Sequence, residues 1–315
     1  MKKKVLISKF LGSMAGSAIG DAIGELAFMY PEEILLREVI DETGELRYTD
    51  DTAMAIGLAE SIVKNQSIDQ YHLGETFRKN YEREPWRGYA SGPPTIFNLV
   101  KRKEISYQEA AAQLFSGRGS FGNGAAMRIA PAALFFSGSP DIYEMACASA
   151  QVTHAHPVGM DGAAMQAMAI ARALRSSPDC PFHLESFFKE LVDSSKTPEI
   201  KEKMVLVYRL VSEDFSPDVS ARTIGQTVAV QESMPFAVYC FARYPASFEE
   251  CIFCAVLNGG DRDTLGAMAG AISGAFLGVD AIPDPWLKRL ENFSYVEELA
   301  LKLVDIYKEK TFKEI

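Results

Sequence analysis

The sequence has little basic charge, few cysteines and no apolar run long enough to cross a membrane. Among its 315 residues, 32 Lys and Arg stand against 42 Asp and Glu, for a formal net charge of −10. Proteins that bind duplex nucleic acid neutralise phosphates with clustered Lys and Arg, so this balance argues against nucleic acid as a partner. The best membrane candidate, residues 265–279, would form a helix of about 22 Å, which is short of the ~30 Å core of a bilayer. We therefore expect no membrane span.

The five cysteines are odd in number and irregularly spaced, which argues against a disulfide framework. Cys251 and Cys254 form a C-x-x-C pair with no second pair and no nearby His. On a helix this spacing puts both side chains on one face, and we interpret them as two buried thiols, with a redox or zinc site as the alternative. Reduced thiols are typical of the cytoplasm, where we expect the protein to be.

Strand patterns are scarce, and helical periodicity dominates instead. In residues 52–64, for example, Met54, Leu58 and Ile62 fall on one stripe. No Pro- or Ser-rich linker divides the chain. The sequence therefore predicts an all-α protein with a single domain over residues 1–315, which we expect to be a monomer. Further helices are predicted at residues 141–154, 159–175, 184–194, 199–212 and 295–309.

Glycine recurs every four residues in two segments, at Gly12, Gly16, Gly20 and Gly24 and at Gly266, Gly270, Gly274 and Gly278. Glycine inside a helix costs about 1 kcal/mol relative to Ala, so this pattern needs a reason. A four-residue period draws a stripe without side chains along a helix, on which another backbone can pack closely. We predict two buried central helices packed through these stripes.

Two short acidic clusters precede predicted helices. Residues 48–52 read YTDDT and residues 259–264 read GGDRDT. Thr and Asp are good N-cap residues, and acids favour the first turn of a helix, so capping alone would explain either cluster. Brought together, however, the four carboxylates would repel each other unless cations lay among them. Oxygen ligands without His or Cys select Mg²⁺, Mn²⁺ or Ca²⁺ over zinc, so the two clusters predict a site for hard cations that activates water or a leaving group.

A glycine-rich loop at residues 117–124 (GRGSFGNG) precedes a helix-like segment at residues 125–134. Exposed backbone N–H groups at the start of a helix suit an anion, most naturally a phosphate. Phe121 in this loop would stack on a base or a sugar or, alternatively, anchor the loop by packing.

Two His residues lie close together at His154 and His156. On a helix their side chains would diverge by about 200°, so we do not expect them to bind one metal ion together. His154 would donate to a ligand near the glycine-rich loop or, equally, be a structural His.

These motifs, in this order, resemble the ADP-ribosylglycohydrolase family of the dinitrogenase reductase-activating glycohydrolase type, and most closely its serine-ADP-ribosylhydrolase branch. The resemblance covers nearly the whole chain. It rests on residues 16–24 (GSAIGDAIG), 48–52, 119–128 (GSFGNGAAMR), 153–154 and 259–264 and, for the branch, on residues 233–235 (SMP) and 239–241 (YCF).

The resemblance implies a compact orthogonal helical bundle that holds two Mg²⁺ or Mn²⁺ ions. The implied substrates are ADP-ribose-containing small molecules or ADP-ribosylated proteins, hydrolysed at the anomeric carbon of the distal ribose, with Asp50 and Asp51 among the catalytic residues. The implied metal ligands are Thr49, Asp50, Asp51, Asp261, Asp263 and Thr264. The implied substrate contacts are Gly119, Ser120, Phe121, Gly122, Asn123, Gly124 and His154, with Phe115 as a weaker candidate beside the adenosine.

Two positions depart from the pattern of the family. Phe28 stands where a glutamate on a mobile loop serves catalysis in the animal branch, so Glu25 is our candidate for the acid or base, with Glu32 and Glu33 as alternatives. Arg262 replaces a commoner small residue between two implied ligands. Because a positive charge is unfavourable beside cations at a helix start, we expect its guanidinium to turn away from the ions and pair with an outer carboxylate.

Two other functions stay open at this point. One is a two-metal hydrolase of another nucleotide or phosphoester, and the other is an ADP-ribose-binding module without turnover. The presence of all six implied ligand types argues against the binding module, whereas the missing glutamate at Phe28 keeps it open.

Overall fold

In a computed structural model, which describes residues 3–313, the chain forms eighteen α-helices and one short 3-10 turn at Val279–Ala281. Within these residues the only β-type pairings are two isolated bridges, so the prediction of an all-α protein is confirmed. The helices are α1 (Lys3–Met29), α2 (Glu33–Glu42), α3 (Asp50–Asn65), α4 (Gln70–Arg83), α5 (Gly92–Lys103), α6 (Tyr107–Gly117), α7 (Gly124–Met127), α8 (Ala130–Phe135), α9 (Ile142–Gln151), α10 (Pro157–Arg175), α11 (Leu184–Ser194), α12 (Pro198–Ser212), α13 (Pro217–Ile224), α14 (Val230–Arg243), α15 (Phe248–Leu257), α16 (Arg262–Leu277), α17 (Asp284–Arg289) and α18 (Phe293–Lys313).

Each of the six helices predicted from apolar periodicity is present, as α3, α9, α10, α11, α12 and α18. The helix-like segment at residues 125–134 is different, because it is split into α7 and α8. The break lies at Arg128 and Ile129, directly before Pro131 near the start of α8. Proline has no N–H to continue a preceding helix and is well suited to the first turn of a new one. The glycine-rich loop is therefore followed by a single helical turn rather than by a long helix.

The glycine stripes of α1 and α16 pack directly against each other and run in opposite directions. Gly20 meets Gly266 so closely that a Cβ atom added to Gly20 would lie 2.0 Å from the Gly266 carbonyl oxygen. Gly16 meets Gly270 and Gly12 meets Gly274 in the same way. Backbone therefore contacts backbone along two buried helices, as the glycine period predicts. We call this contact the glycine seam.

Gly278, the last member of the predicted stripe, is an exception. It follows the end of α16 with a φ of +87°, a conformation that residues with a Cβ rarely adopt. It ends α16, and it still packs closely on α1, since a Cβ atom added to Gly12 would lie 2.6 Å from the Gly278 carbonyl carbon.

The seam also determines which helix ends meet. At its far end, Gly24 of α1 packs against the backbone of Arg262 and Asp263 at the start of α16. Asp21, three residues earlier in α1, is consequently held close to the first turn of α16. The second acidic cluster is thereby brought to the C-terminal half of α1.

The helices enclose one continuous cluster of buried apolar side chains. Cys251 and Cys254 are buried in it as free thiols, as predicted. No described helix combines the length and the hydropathy that crossing a bilayer requires. The single-domain organisation over residues 1–315 stays a prediction.

Candidate active site

The two acidic clusters and the glycine-rich loop line one cavity of about 290 Å³. The start of α3 contributes Asp50 and Asp51, and the start of α16 contributes Asp263 and Thr264, with Asp261 just before it. The rest of the wall includes Ser120, Gly122, Asn123, Gly124, His154, Leu114, Phe115 and Arg128. Residues that are far apart in sequence therefore share one cavity, which combines a cluster of carboxylates with a glycine-rich loop.

Asp21 organises the acidic side of this site, although the motifs alone did not single it out as a site residue. Its side chain is fully buried and accepts hydrogen bonds from the backbone N–H and the hydroxyl of both Thr49 and Thr52, at distances between 2.6 and 3.1 Å. Burial raises the pKa of Asp21 to about 6, although these hydrogen bonds oppose the shift. The available signal was a carboxylate within the glycine-striped part of α1, where its neighbours are small or apolar.

Asp50 and Asp51 begin α3 but do not act as caps. Thr49, at the N-cap position, makes no side-chain capping bond and donates its hydroxyl to Asp21 instead. Burial, and then the charge of Asp21, raises the pKa of Asp50 to about 7. Burial also raises the pKa of Asp51 well above its ordinary value, and the Oδ1 atom of Asp51 is buried without a hydrogen-bond partner among the described residues. Capping therefore does not explain the first cluster.

The second cluster has the same character. Asp261, at the N-cap position of α16, also makes no side-chain capping bond and accepts a 2.6 Å hydrogen bond from Nδ2 of Asn123 in the glycine-rich loop. Burial, followed by the charge of Asp261, raises the pKa of Asp263 to about 8. This hydrogen bond joins the acidic side of the cavity to the loop.

The carboxylates fit hard cations as ligands because no described cation of the protein pairs with them directly, although the charge of Arg128 acts on Asp50 at longer range. Among the described side chains, no Lys or Arg forms a salt bridge with Asp50, Asp51, Asp261 or Asp263. Their raised pKa values reflect burial and mutual repulsion. Within residues 3–313, however, no group of three or more Asp, Glu, His or Cys side chains is arranged as a closed metal site. The carboxylates share one cavity, but their oxygen atoms are not arranged around a common metal position.

The glycine-rich loop is held by the segment before α14. Asn123 donates its backbone N–H to the Val228 carbonyl at 2.9 Å, and Val230 donates to the Phe121 carbonyl at 3.0 Å. Ser120, Gly122, Asn123 and Gly124 line the cavity, whereas Gly119 and Phe121 are not part of its wall. Phe121 instead packs edge-on against His156, with the ring centroids 5.3 Å apart.

Phe115 lies in the wall of the cavity and is 61% exposed. It belongs to a kink at the end of α6, where Phe115 and the next residue, Ser116, both have positive φ angles. Side chains with a Cβ rarely adopt this backbone conformation, and it occurs preferentially at functional sites. The structure thus presents Phe115 rather than Phe121 to the cavity.

The two His residues have separate roles. His154 is buried in the cavity wall, whereas Nδ1 of His156 accepts the backbone N–H of Val158 and caps α10. Both lie in the connection between α9 and α10 rather than on a helix, so the helical divergence considered for them does not apply. Burial, and then the nearby charge of Arg128, lowers the pKa of His154 to about 3, so its ring is neutral at physiological pH.

Comparison with known proteins identifies the family. The sequence profile described as ADP-ribosylglycohydrolase matches residues 2–311. The chain belongs to the ADP-ribosylglycohydrolase family. It is 31% identical to the ADP-ribosylhydrolase ARH3 of Mus musculus, over 97% of this chain and 93% of that protein. It is 30% identical to the ADP-ribosyl-[dinitrogen reductase] glycohydrolase of Rhodospirillum rubrum, over 89% of this chain and 90% of that protein.

A solved structure titled "ADP-ribosylglycohydrolase-related protein complex" has the same fold. It superposes with a TM-score of 0.73 at 24% identity and covers 96% of this chain and 99% of its own. The family resemblance, the fold class and the predicted enzyme class, an ADP-ribosyl hydrolase, are confirmed by these comparisons.

In this ADP-ribosylglycohydrolase, Glu25 lies outside the cavity. It lines a neighbouring groove that also contains Thr49 and Asp263, so it approaches the acidic centre from another side. Phe28 is 47% exposed, and Glu32 and Glu33 lie at the start of α2, also exposed. None of these three residues contributes to the cavity wall.

The predicted partner of Arg262 is wrong. Its Nη1 donates to the backbone carbonyl of Val256 near the end of α15, and no salt bridge to a carboxylate forms among the described residues. A carbonyl at the C-terminal end of a helix is a favourable partner for a cation, since the dipole is negative there. Arg262 is not part of the cavity wall and acts as a clamp between α15 and α16.

Arg262→Thr should therefore retain metal-dependent activity within about tenfold, which corresponds to 1.4 kcal/mol. The substitution removes one hydrogen bond from a charged donor, which contributes about 1.5–3 kcal/mol to stability, and it removes no cavity contact. Titration of Mg²⁺ against turnover measures the effect. A loss of several hundredfold at saturating Mg²⁺ would instead place Arg262 in contact with substrate or transition state.

A further wall of the cavity comes from residues 88–93, which sequence reasoning missed. Their position depends on Arg87, which is buried, donates to the Tyr48 carbonyl at 3.0 Å and pairs with Glu291 near the start of α18 at 2.6 Å. This segment has no residue type that marks a site. The bonds from Arg87 to Tyr48 and Glu291, which are distant in sequence, hold the segment at the cavity.

Proposed function

We propose that this protein is a divalent-cation-dependent hydrolase that removes ADP-ribose from modified protein side chains or from O-acetyl-ADP-ribose. The bond cleaved would be the one at the anomeric carbon of the distal ribose. One observation carries the proposal: a single cavity is lined both by carboxylates that form no salt bridge with a described Lys or Arg and by a glycine-rich loop. ADP-ribose needs both, because its diphosphate would bind the loop and the ribose with the scissile bond would bind the ions held by the carboxylates. We further propose that the protein acts as a monomer in the cytoplasm.

The metal ligands in this proposal are Thr49, Asp50, Asp51, Asp261, Asp263 and Thr264. Two Mg²⁺ or Mn²⁺ ions bound there would supply Lewis-acid polarisation of water and of ribose hydroxyls. The buried and unpartnered Oδ1 of Asp51 supports this assignment, because a buried carboxylate oxygen without a donor is costly unless a cation binds it. Asp21 has a supporting role: the hydrogen bonds that it accepts from four donor groups fix Thr49 and the first turn of α3.

The diphosphate would bind the glycine-rich loop, where Ser120, Gly122, Asn123 and Gly124 line the cavity. Backbone N–H groups without neighbouring side chains allow phosphate oxygens to approach closely. His154 would add a neutral donor. Gly119 supports the loop from behind, since a Cβ atom there would lie 2.7 Å from the His156 backbone nitrogen.

The residue that moves the proton in catalysis is proposed among three carboxylates. Asp50 and Asp51 lie in the cavity beside the proposed ions, where a carboxylate that accepts the proton of a polarised water would have to be. Glu25 would reach the leaving group only from the neighbouring groove. Comparison of Glu25→Gln with wild type on substrates with good and poor leaving groups separates these roles, because loss of a general acid affects poor leaving groups more.

A panel of substrates tests the function. Ser-linked, Arg-linked and O-acetyl-linked ADP-ribose are each incubated with Mg²⁺, with Mn²⁺ and with EDTA, and the products are identified. Release of free ADP-ribose that stops in EDTA and returns with Mg²⁺ or Mn²⁺ is the expected result. Release of phosphate or a nucleotide from simple phosphoesters would favour the alternative, a two-metal hydrolase of another nucleotide or phosphoester. Tight binding of ADP-ribose without any product would favour the binding module.

The placement of the two aromatic residues gives a prediction for the adenosine. Phe115→Ala should raise KM about tenfold or more with little change in kcat, because stacking on a base contributes about 1–3 kcal/mol. Phe121→Ala is the matched control, since Phe121 packs on His156 outside the cavity wall. Steady-state kinetics with the best substrate of the panel measures both variants. The opposite ranking would put the adenosine on the Phe121 side of the loop.

A further inference from the structure

The hydroxyl of Thr153 lies between a buried cation and the imidazole of His154. Nη2 of Arg128 is 2.7 Å from Thr153 Oγ1, and the same Oγ1 is 2.8 Å from Nδ1 of His154. All three side chains are buried, and Thr153 and His154 are held at the end of α9 by backbone hydrogen bonds to the Ala150 carbonyl. The three groups form a short hydrogen-bonded chain along the cavity wall, to which each of them contributes.

The direction of the hydrogen bonds in this chain follows from chemistry. A guanidinium can only donate, so the Thr153 oxygen accepts from Arg128. A hydroxyl has one proton to donate, and within the described residues Nδ1 of His154 is its only other hydrogen-bond partner. If Nδ1 also donated, the buried hydroxyl proton would have no acceptor, which costs about 1–3 kcal/mol. Nδ1 therefore accepts, and Thr153 donates.

The proton of the His154 ring must then be on the other nitrogen. Burial keeps the ring neutral by lowering its pKa to about 3, so it has a single N–H, at Nε2. Nε2 lies beside the glycine-rich loop: a Cβ atom added to Gly124 would be 3.2 Å from it, and one added to Gly122 would be 3.6 Å from it. No described residue accepts a hydrogen bond from Nε2.

Arg128 is held rigidly enough to set this arrangement. Its Nη1 donates to the Gly124 carbonyl at 2.7 Å, and its guanidinium lies over the ring of Phe77 at 4.8 Å. It is fully buried and forms no salt bridge within residues 3–308. The cation thus joins the backbone of the glycine-rich loop to the hydroxyl that contacts His154.

We propose that Thr153, oriented by Arg128, is a positioning residue that fixes His154 as its Nε2–H tautomer, so that the ring offers a hydrogen-bond donor to a phosphate oxygen of the substrate. This inference rests on the proposed function for the identity of the anion, but the tautomer itself does not. The Nδ1–H tautomer would present a lone pair to the phosphate and repel it. Thr153, which itself lines the cavity, would thereby set the affinity for the diphosphate through the His154 ring.

NMR spectroscopy of the protein with isotope-labelled histidine tests the tautomer. The His154 signal is assigned by its absence from the His154→Gln variant. In the free wild-type protein we expect Nδ1 to resonate as an unprotonated nitrogen and Nε2 as a protonated one. A protonated Nδ1 in wild type overturns the proposal without the need for any Thr153 variant.

Two substitutions test the role of the hydroxyl. Thr153→Val keeps the shape of the side chain but removes the donor, so we expect Nδ1–H to become populated and the affinity for ADP-ribose to fall about tenfold or more. Thr153→Ser retains the hydroxyl and should keep the wild-type tautomer and an affinity within about twofold of wild type. Calorimetric titration with ADP-ribose in the presence of Mg²⁺ gives the affinities.

The outcomes distinguish a wrong role for Thr153 from a wrong proposed function. Unchanged ADP-ribose affinity in a folded Thr153→Val protein would overturn the positioning role, as would loss of affinity in Thr153→Ser. If wild type does not bind ADP-ribose at all, the proposed function fails, whereas the NMR measurement still decides the tautomer. If Thr153→Val does not fold, wild type and Thr153→Ser together still support or overturn the proposal.

Discussion

Asp263→Asn should abolish turnover while the helical fold stays intact. Asp263 lies in the first turn of α16, in the wall of the cavity, beside the carboxylates of the other cluster. Asn is almost the same size but has no charge, so the proposed ions would lose one of the few anionic ligands that hold them. Loss of even an outer partner of a metal ligand costs about 10–100-fold in affinity or activity, so loss of a ligand should exceed a hundredfold. Turnover of the best substrate at saturating Mg²⁺ measures the effect.

Thermal stability separates a lost ligand from a lost fold. Because the folded state raises the pKa of Asp263 to about 8, the charged form of this side chain opposes folding as the pH rises from about 4 towards 8. Asn removes that penalty, so in EDTA near pH 7 the variant should melt at the same temperature as wild type or higher. Mg²⁺ should raise the melting temperature of wild type, because an ion that binds the native state stabilises it. The increase should be much smaller for the variant, which binds the ion more weakly.

Asp305→Asn is the matched control, because Asp305 is exposed on α18 and does not line the cavity. It should leave both turnover and the Mg²⁺ response unchanged. Full activity of Asp263→Asn, or full wild-type activity in EDTA, would contradict the metal centre. A variant that melts far below wild type in EDTA would show that Asp263 is needed for the fold instead.

Gly270→Ala should strongly destabilise the protein, and Gly270→Leu should prevent soluble expression. In an exposed helix the change to Ala would add about 1 kcal/mol of stability through helix propensity. Here a Cβ atom would lie 2.1 Å from the Gly16 carbonyl oxygen, which is backbone and cannot rotate away. The two helices would have to separate, and overpacking of this kind costs about 1–3 kcal/mol or more. Urea or thermal unfolding measures the change.

Gly44→Ala provides the comparison for the glycine seam. Gly44 has open space around the position of a Cβ atom and no positive φ. Its replacement should be neutral or stabilise slightly, by up to about 1 kcal/mol, because Ala has less freedom in the unfolded chain. If Gly270→Ala were as stable as Gly44→Ala, the close approach of α1 and α16 would be wrong.

The helices and the acidic centre could be predicted because their signals are local. Apolar periodicity marked six helices to within a few residues, and the glycine period marked the two helices that meet backbone to backbone. Asp50, Asp51, Asp261 and Asp263 stood out because like charges rarely cluster at two helix starts without a reason. In each case a physical constraint within one short segment was sufficient.

The features that sequence reasoning missed depend on contacts across the fold. Asp21 resembled one more residue of a packing helix until the Thr49 and Thr52 hydroxyls were seen to donate to it. Arg262 had a carboxylate as its expected partner, because nothing in its own segment indicates the carbonyl of Val256. Phe115 is the weaker candidate from sequence, since the kink that turns it into the cavity falls on Phe115 and Ser116, and a glycine, Gly117, only follows them. The hydrogen-bond partner of a side chain and the direction in which a kink turns it depend on the folded chain and not on the neighbouring sequence.

The glycine seam has a consequence for the order of events during synthesis. α1 is made well before α16, with fourteen helices between the two, yet the surface that α1 needs belongs to α16. Contacts between such distant segments form slowly, and the N-terminal part of a chain leaves the ribosome long before the C-terminal part. A growing chain that ends before residue 261 has Asp21 but neither Asp261 nor Asp263. This enzyme therefore acquires its acidic centre only once α16 has been made, and until then the bare glycine face of α1 lacks the helix that it packs against.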